Sequence, residues 1–276
     1  MTRDSEWHEV QYLPSKTVGN TAPIFDGWRQ RAAITREKYQ FQADIKYGPH
    51  AREIVDFYPA VNPRGCVVYV HGGYWTWYSK FETSWVVDGF VEQGLSVALI
   101  NYPLCPEVAI GDIRTSCAKA FAYLYREVLS DAGRKAIVVT GHSAGGHLAA
   151  AHLVEDWTAH GLPENPISGV IALSGIFDVA PLMNTSLNQN LKLTAPSACT
   201  LNLCATPLAS KAKLVLAVGE KEPEEFHRQS AELAQHWQEL SPRVVSVEKA
   251  NHFTVVDSLA APGAVLNTLA IRMTQG

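Results

Sequence analysis

Gly141-His142-Ser143-Ala144-Gly145-Gly146-His147 sets one serine among small residues. A β-branched run over 136–140 precedes it, and an apolar helical pattern over 148–154 follows. Between a strand and a helix, Gly-x-Ser-x-Gly is a nucleophile elbow: the tight turn strains the serine, and small neighbours let the two elements approach. The positive end of the following helix then favours negative charge developing near Ser143. A serine hydroxyl is a poor nucleophile at neutral pH, so it needs a base, and the base needs an orienting carboxylate. In this architecture the acid and then the histidine follow the serine along the chain. His252, in Ala250-Asn251-His252-Phe253 after the run 244–247, fits the base. For the acid, Glu222 in Gly219-Glu220-Lys221-Glu222-Pro223 is favoured, with Glu220 and Asp178 left open. The carboxylate holds the imidazole tautomer and does not itself take the proton.

A second signature, His71-Gly72-Gly73-Tyr74-Trp75, follows the run 66–70. Its glycines allow backbone N–H groups to turn inward, so the N–H of Gly72 or Gly73, with that of Ala144, forms the expected oxyanion hole. His71 is expected to hold this loop by hydrogen bonding. Six aromatic residues, Tyr74, Trp75, Trp77, Tyr78, Phe81 and Trp85, come within twelve positions, out of seven Trp, ten Tyr and nine Phe in the chain. Beside a nucleophile they suggest a pocket for a flat ring, with Tyr74 and Trp75 as the first substrate-binding candidates. Metal hydrolysis is disfavoured: His142, His147 and His152 are spaced five apart, off a common helix face, and HExxH is absent. The glycines do not match a dinucleotide fingerprint. The chemistry calls for neither metal nor cofactor.

These groups must be held by a framework, and the sequence outlines one. β-branched runs over 52–58, 66–70, 95–102, 136–140, 169–174, 213–218 and 244–247 alternate with helical patterns near 80–93, 113–128, 144–156, 224–240 and 262–273. Pro262 suits a first helical turn. Nearly continuous apolar strands separated by helices indicate a parallel sheet covered on both faces. Two stretches break the alternation: a leader, 1–43, with a helix expected over 26–40 and Asp26 as its cap, and 183–210, rich in Asn, Thr, Ser and Pro. Both are expected to cap one end of the sheet within a single domain, 1–276.

The 276 residues, 47% apolar and 18% charged, exclude a disordered chain. With 23 Lys and Arg against 27 Asp and Glu, a nucleic-acid partner is not expected. No apolar run reaches the ~20 residues that span a bilayer, and charges at Arg3, Asp4 and Glu6 stand where a secretory leader is apolar. A cytoplasmic protein without a membrane partner is therefore expected. Its five cysteines, lacking a CxxC pair, are expected to be reduced.

The residues also carry a resemblance. His71-Gly72-Gly73 with Gly141-His142-Ser143-Ala144-Gly145-Gly146 resembles the hormone-sensitive-lipase-like branch of the α/β-hydrolase fold. The longer strings His71-Gly72-Gly73-Tyr74-Trp75 and Pro223-Glu224-Glu225-Phe226-His227-Arg228-Gln229-Ser230 are similar to serine-type kynurenine formamidases (arylformamidases). The resemblance implies a mostly parallel sheet of about eight strands with helices on both faces and a small cap. It also implies Ser143 as nucleophile, His252 as base, and a small N-formyl aromatic amine as substrate. Glu222 falls where many members have Asp, and Asn101-Tyr102-Pro103-Leu104 stands in place of Asp-Tyr-Arg-Leu. A carboxylesterase shares every one of these residues; a non-catalytic receptor on the same fold is the distant alternative. A second copy of the chain is the one protein partner kept open.

Overall fold

Short apolar runs that cannot bury both faces alone assemble into one sheet with helices packed on either side. The computed structural model describes residues 4–275; positions 1–3 of the expected leader cap lie outside the described residues. The leader forms α1 (Ser5–Tyr12), α2 (Ser15–Val18) and α3 (Ala22–Lys38). Asp4 caps α1 by accepting from the Trp7 N–H at 2.8 Å. α3 starts earlier than expected because Pro23 is tolerated in its first turn, so Asp26 lies inside the helix, paired with Arg29, and does not cap it.

The strands are β1 (Gln42–Lys46), β2 (Ile54–Tyr58), β3 (Cys66–Val70), β4 (Ser96–Ile100), β5 (Ile137–His142), β6 (Gly169–Leu173), β7 (Lys213–Gly219) and β8 (Arg243–Val247). Their order is β1-β2-β4-β3-β5-β6-β7-β8. β1 and β2 run antiparallel to their neighbours, whereas β4, β3, β5, β6, β7 and β8 are parallel. β1 is largely exposed and polar, so no apolar run announces it. Alternation divides the strand side chains between two cores: Cys66, Val68 and Val70 of β3 face one, Val67 and Tyr69 the other.

The first core is covered by α4 (Ile110–Tyr123), α6 (Ala144–Ala151), α8 (Ala195–Leu201) and α9 (Glu224–His236), with the short α5 (Asp131–Arg134) and α7 (Asn188–Leu191) beside them. α3, α10 (Asp257–Ala260) and α11 (Val265–Met273) cover the second, with two 3₁₀ turns, Ser84–Gly89 and Val91–Gln93, where a helix near 80–93 was expected. Pro262 lies in the turn ahead of α11, outside its first turn. Within 183–210, Leu191, Ala198, Leu201 and Leu203 are buried in the first core. This stretch is a packed excursion beside α6, and its Leu201 carbonyl accepts from His147 Nε2–H at 3.1 Å. Among the described residues, no helix is long and apolar enough to cross a membrane.

α3 is tied to the sheet by charge. The buried Asp56 of β2 accepts from Arg36 at 2.5 Å, from Lys80 Nζ at 2.6 Å and from the Asp44 N–H at 3.0 Å. Such a carboxylate is stable only while its partners stay in place.

His147 and His152 are buried neutral, and burial pushes both imidazoles down to about 4. The unfolded chain binds these protons near 6.5, so the stability they contribute is complete above that value and is lost as pH falls toward 4. On the order of 1 kcal/mol per histidine should be gone by pH 5. Urea midpoints measured from pH 7.5 to 5 should therefore fall, and His152→Gln should flatten the slope.

Candidate active site

The carboxyl ends of the parallel strands open on one edge of the sheet, so loops after β3, β5, β7 and β8 meet there. β3 pairs with β5, with Val70 opposite Gly141, which brings the glycine loop beside the elbow. β7 pairs with β8, with Gly219 opposite Val247, which brings the acid turn beside the histidine loop.

Ser143 sits between β5 and α6 at φ 58°, ψ −120°, the strained turn expected of an elbow. Its N–H donates to the Leu173 carbonyl at 2.8 Å. Gly145 cannot carry a side chain: a Cβ there would stand 2.1 Å from the Val70 carbonyl. His252 Nδ1–H donates to Glu222 Oε2 at 2.7 Å, both side chains buried. Glu222 Oε1 accepts from Ser174 Oγ–H at 2.5 Å and the Gly219 N–H at 2.6 Å. The other acid candidates are engaged elsewhere. Glu220 accepts from the Lys249 N–H at 2.7 Å, and Asp178 from the Ala180 N–H at 3.0 Å.

His142, next to the serine, was not singled out by the sequence as a site residue. Its Nε2–H donates to the His252 carbonyl at 2.7 Å, and the two rings lie 4.7 Å apart. Burial, reinforced by His252, holds the His142 imidazole well below its usual range, so it serves as a neutral donor. Ser174, at φ 48° after β6, is a second residue without a sequence signal. A lone serine at a strand end is common, and only the sheet order brings this one against Glu222.

The glycine loop runs against the serine. A Cβ on Gly72 would lie 3.2 Å from Ser143 Cβ, and Gly73 has φ +104°, a backbone favouring glycine. Ala144, the first residue of α6, adds the N–H following the serine. His71 Nδ1–H donates to the Gly72 carbonyl at 2.8 Å, the loop-holding contact expected of it.

A cavity of about 130 Å³ opens against Ser143 and His252. That is close to the ~150 Å³ apolar cavity that holds one benzene ring. Six aromatic side chains line it: Phe25, Trp28, Tyr74, Trp77, Tyr78 and Phe253. Three come from the clustered run and three from distant segments, with Phe25 and Trp28 from the leader. Trp75 does not line it, which corrects the expectation of substrate contact. Tyr74 and Trp75 both have positive φ, and the turn sends Trp75 into the first core, edge-on to His147 with ring centres 5.5 Å apart. Trp85 is buried beneath Arg31, and Phe81 stands half-exposed beside Arg36. Nothing in 183–210 lines the cavity, whereas the leader does so at Ser15, Phe25 and Trp28. Among the described residues, no group of three or more His, Cys, Asp or Glu side chains could hold a metal ion.

A family model described as the alpha/beta hydrolase fold matches residues 67–253. The chain belongs to the α/β-hydrolase family. Among curated relatives, this hydrolase is 26% identical to kynurenine formamidase from Danio rerio, over 96% of this chain and 94% of that one. It is 27% identical to kynurenine formamidase from Salmo salar, over 83% and 81% respectively. Among solved structures it resembles a protein from Silicibacter sp. TM1040 provisionally described as a thioesterase. There the identity is 30% and the TM-score 0.85, over 98% of this chain and 99% of that one. The likeness to kynurenine formamidases thus extends along nearly the whole hydrolase, leader included.

Glu222 is the acid that touches His252, so Glu222→Gln should lower p-nitrophenyl acetate turnover at pH 7 by roughly 10³–10⁴-fold. Asp178→Asn should change it by less than about twofold. Steady-state kcat on both variants checks this, and the reverse ranking would reassign the acid.

Proposed function

We propose that this hydrolase cleaves the formamide bond of an N-formyl aromatic amine, N-formylkynurenine or a close analogue, releasing formate and the arylamine. The observation that carries the reading is the cavity at Ser143 and His252, with room for one ring and six aromatic walls. A planar anilide fills such a space with apolar contact. A formyl group adds only one small carbon to be held against the serine. The full-length similarity to proteins named kynurenine formamidase supports the same substrate class.

In this reading His252, its Nδ1–H on Glu222, accepts the Ser143 proton at Nε2 as Oγ bonds to the formyl carbon. The carbonyl π pair moves onto oxygen, and the N–H groups of Gly72 or Gly73 and of Ala144 receive the oxyanion. One such donor is worth about 3–4 kcal/mol in the transition state. Collapse of the tetrahedral species breaks the C–N bond while His252 Nε2–H protonates the departing nitrogen. Water, deprotonated by the same imidazole, then attacks the formyl ester; formate leaves and Ser143 recovers its proton. Glu222 keeps its negative charge throughout and offsets that of the imidazolium. Tyr74 is the wall residue assigned to substrate contact, with its hydroxyl fixed on the Tyr12 carbonyl at 2.5 Å.

Ser143→Ala should remove turnover while leaving the thermal midpoint within a few degrees of wild type. Side-by-side kcat/KM for N-formylkynurenine and p-nitrophenyl acetate tests the substrate class. Formamide turnover at or above ester turnover is expected. Ester preference by orders of magnitude, with negligible formamide cleavage, would select a carboxylesterase instead.

A further inference from the structure

Gly72 and Gly73 carry no side chains that could fix their own peptide planes, yet an oxyanion donor must be aimed before charge develops. In a trans peptide the C=O and the following N–H point in opposite directions, so holding the oxygen aims the hydrogen. Two consecutive planes in this loop are held in that way. Tyr102 Oη–H donates to the His71 carbonyl at 2.7 Å, which fixes the plane carrying the Gly72 N–H. His71 Nδ1–H donates to the Gly72 carbonyl at 2.8 Å, which fixes the plane carrying the Gly73 N–H. The two side chains brace each other, their rings stacked 4.1 Å apart and 6° from parallel.

Tyr102 is fixed in turn from outside the loop. Arg52, in the turn before β2, donates from Nε to the Tyr102 carbonyl at 2.8 Å and from Nη2 to the Tyr78 carbonyl at 2.6 Å. The same Nη2 reaches Asn101 Oδ1 at 3.2 Å, and Asn101 Nδ2–H returns to the Arg52 carbonyl at 3.2 Å. Burial keeps the Tyr102 phenol protonated and pushes the His71 imidazole down to about 3, so both remain neutral donors across the working pH range.

We propose that Tyr102 is a positioning residue of the oxyanion hole. Backed by Arg52 and Asn101, its hydroxyl orients the His71-Gly72 peptide so that the Gly72 N–H faces the oxygen that becomes charged. This rests on the assignment of Ser143 as nucleophile with its oxyanion at the glycine loop. An interaction that matters only when charge develops lowers kcat and leaves ground-state binding alone.

The test compares wild type, Tyr102→Phe and Ser143→Ala on p-nitrophenyl acetate, with phenylboronic acid as a probe that becomes tetrahedral on the serine and aniline as a ground-state probe. Tyr102→Phe keeps the ring stack and loses the donor. Its kcat should fall by roughly tenfold or more with KM within about twofold. The phenylboronic acid inhibition constant should rise in parallel, and that of aniline should stay put. A kcat within about twofold of wild type, or equal losses for both inhibitors, overturns the proposal. Full activity in Ser143→Ala defeats the underlying assignment instead. If Tyr102→Phe does not fold, His71 supplies a second comparison. His71→Gln retains an N–H for the Gly72 carbonyl and should keep more kcat than His71→Phe, which retains only the stack. The opposite order overturns the proposal.

Discussion

The close approach of α6 to β3 is the constraint on which the site depends. α6 can lie against the Val70 and His71 carbonyls only because Gly145 has no Cβ. That contact sets the angle at which the chain leaves β5, and so the strained turn at Ser143. It also presses the elbow against the glycine loop, because the carbonyls that receive α6 belong to the residues leading into Gly72. A methyl group at position 145 would push the helix off the sheet and move the serine and the loop apart. Ser143 and the glycine loop are thus coupled through one backbone contact.

A second layer of contacts turns proximity into orientation. Glu222 is held at one oxygen by Ser174 and the Gly219 N–H, and gives the other to His252. The His252 backbone is held by His142. Glu222 and His252 are therefore each held by fixed protein partners. Such arrangements spend little free energy on reorganisation during a reaction. They are built largely from the carboxyl ends of adjacent parallel strands, where short loops carry little freedom.

Much of this was legible in the sequence because it is local. The elbow, the glycine loop and His252 each follow an apolar run, and strand-loop patterns survive as one-dimensional signals. The acid could be narrowed to three carboxylates, Glu222, Glu220 and Asp178, and of these Glu222 is the one that contacts His252. What stayed hidden depends on contacts distant in sequence. β1 is polar and largely exposed, because an edge strand need not be apolar. Phe25 and Trp28 lie more than a hundred residues from Ser143, and helical periodicity shows which face is apolar without showing what it faces. Trp75 misled for the opposite reason: it is adjacent to a wall residue in sequence, but a left-handed turn reverses its direction. The stretch 183–210 has the composition of a lid, yet its scattered leucines are core residues.

The leader lies outside the segment shared with the broad family, 67–253, yet it supplies Ser15, Phe25 and Trp28 to the cavity. Its α3 is clamped to the sheet through Asp56 of β2. Part of the aromatic wall is therefore encoded outside the stretch that carries the elbow, the glycine loop and the acid–histidine pair, while Tyr74, Trp77, Tyr78 and Phe253 lie within it. A change at Phe25 or Trp28 of α3 alters the shape of the cavity without altering any residue of the elbow, the glycine loop or the acid–histidine pair.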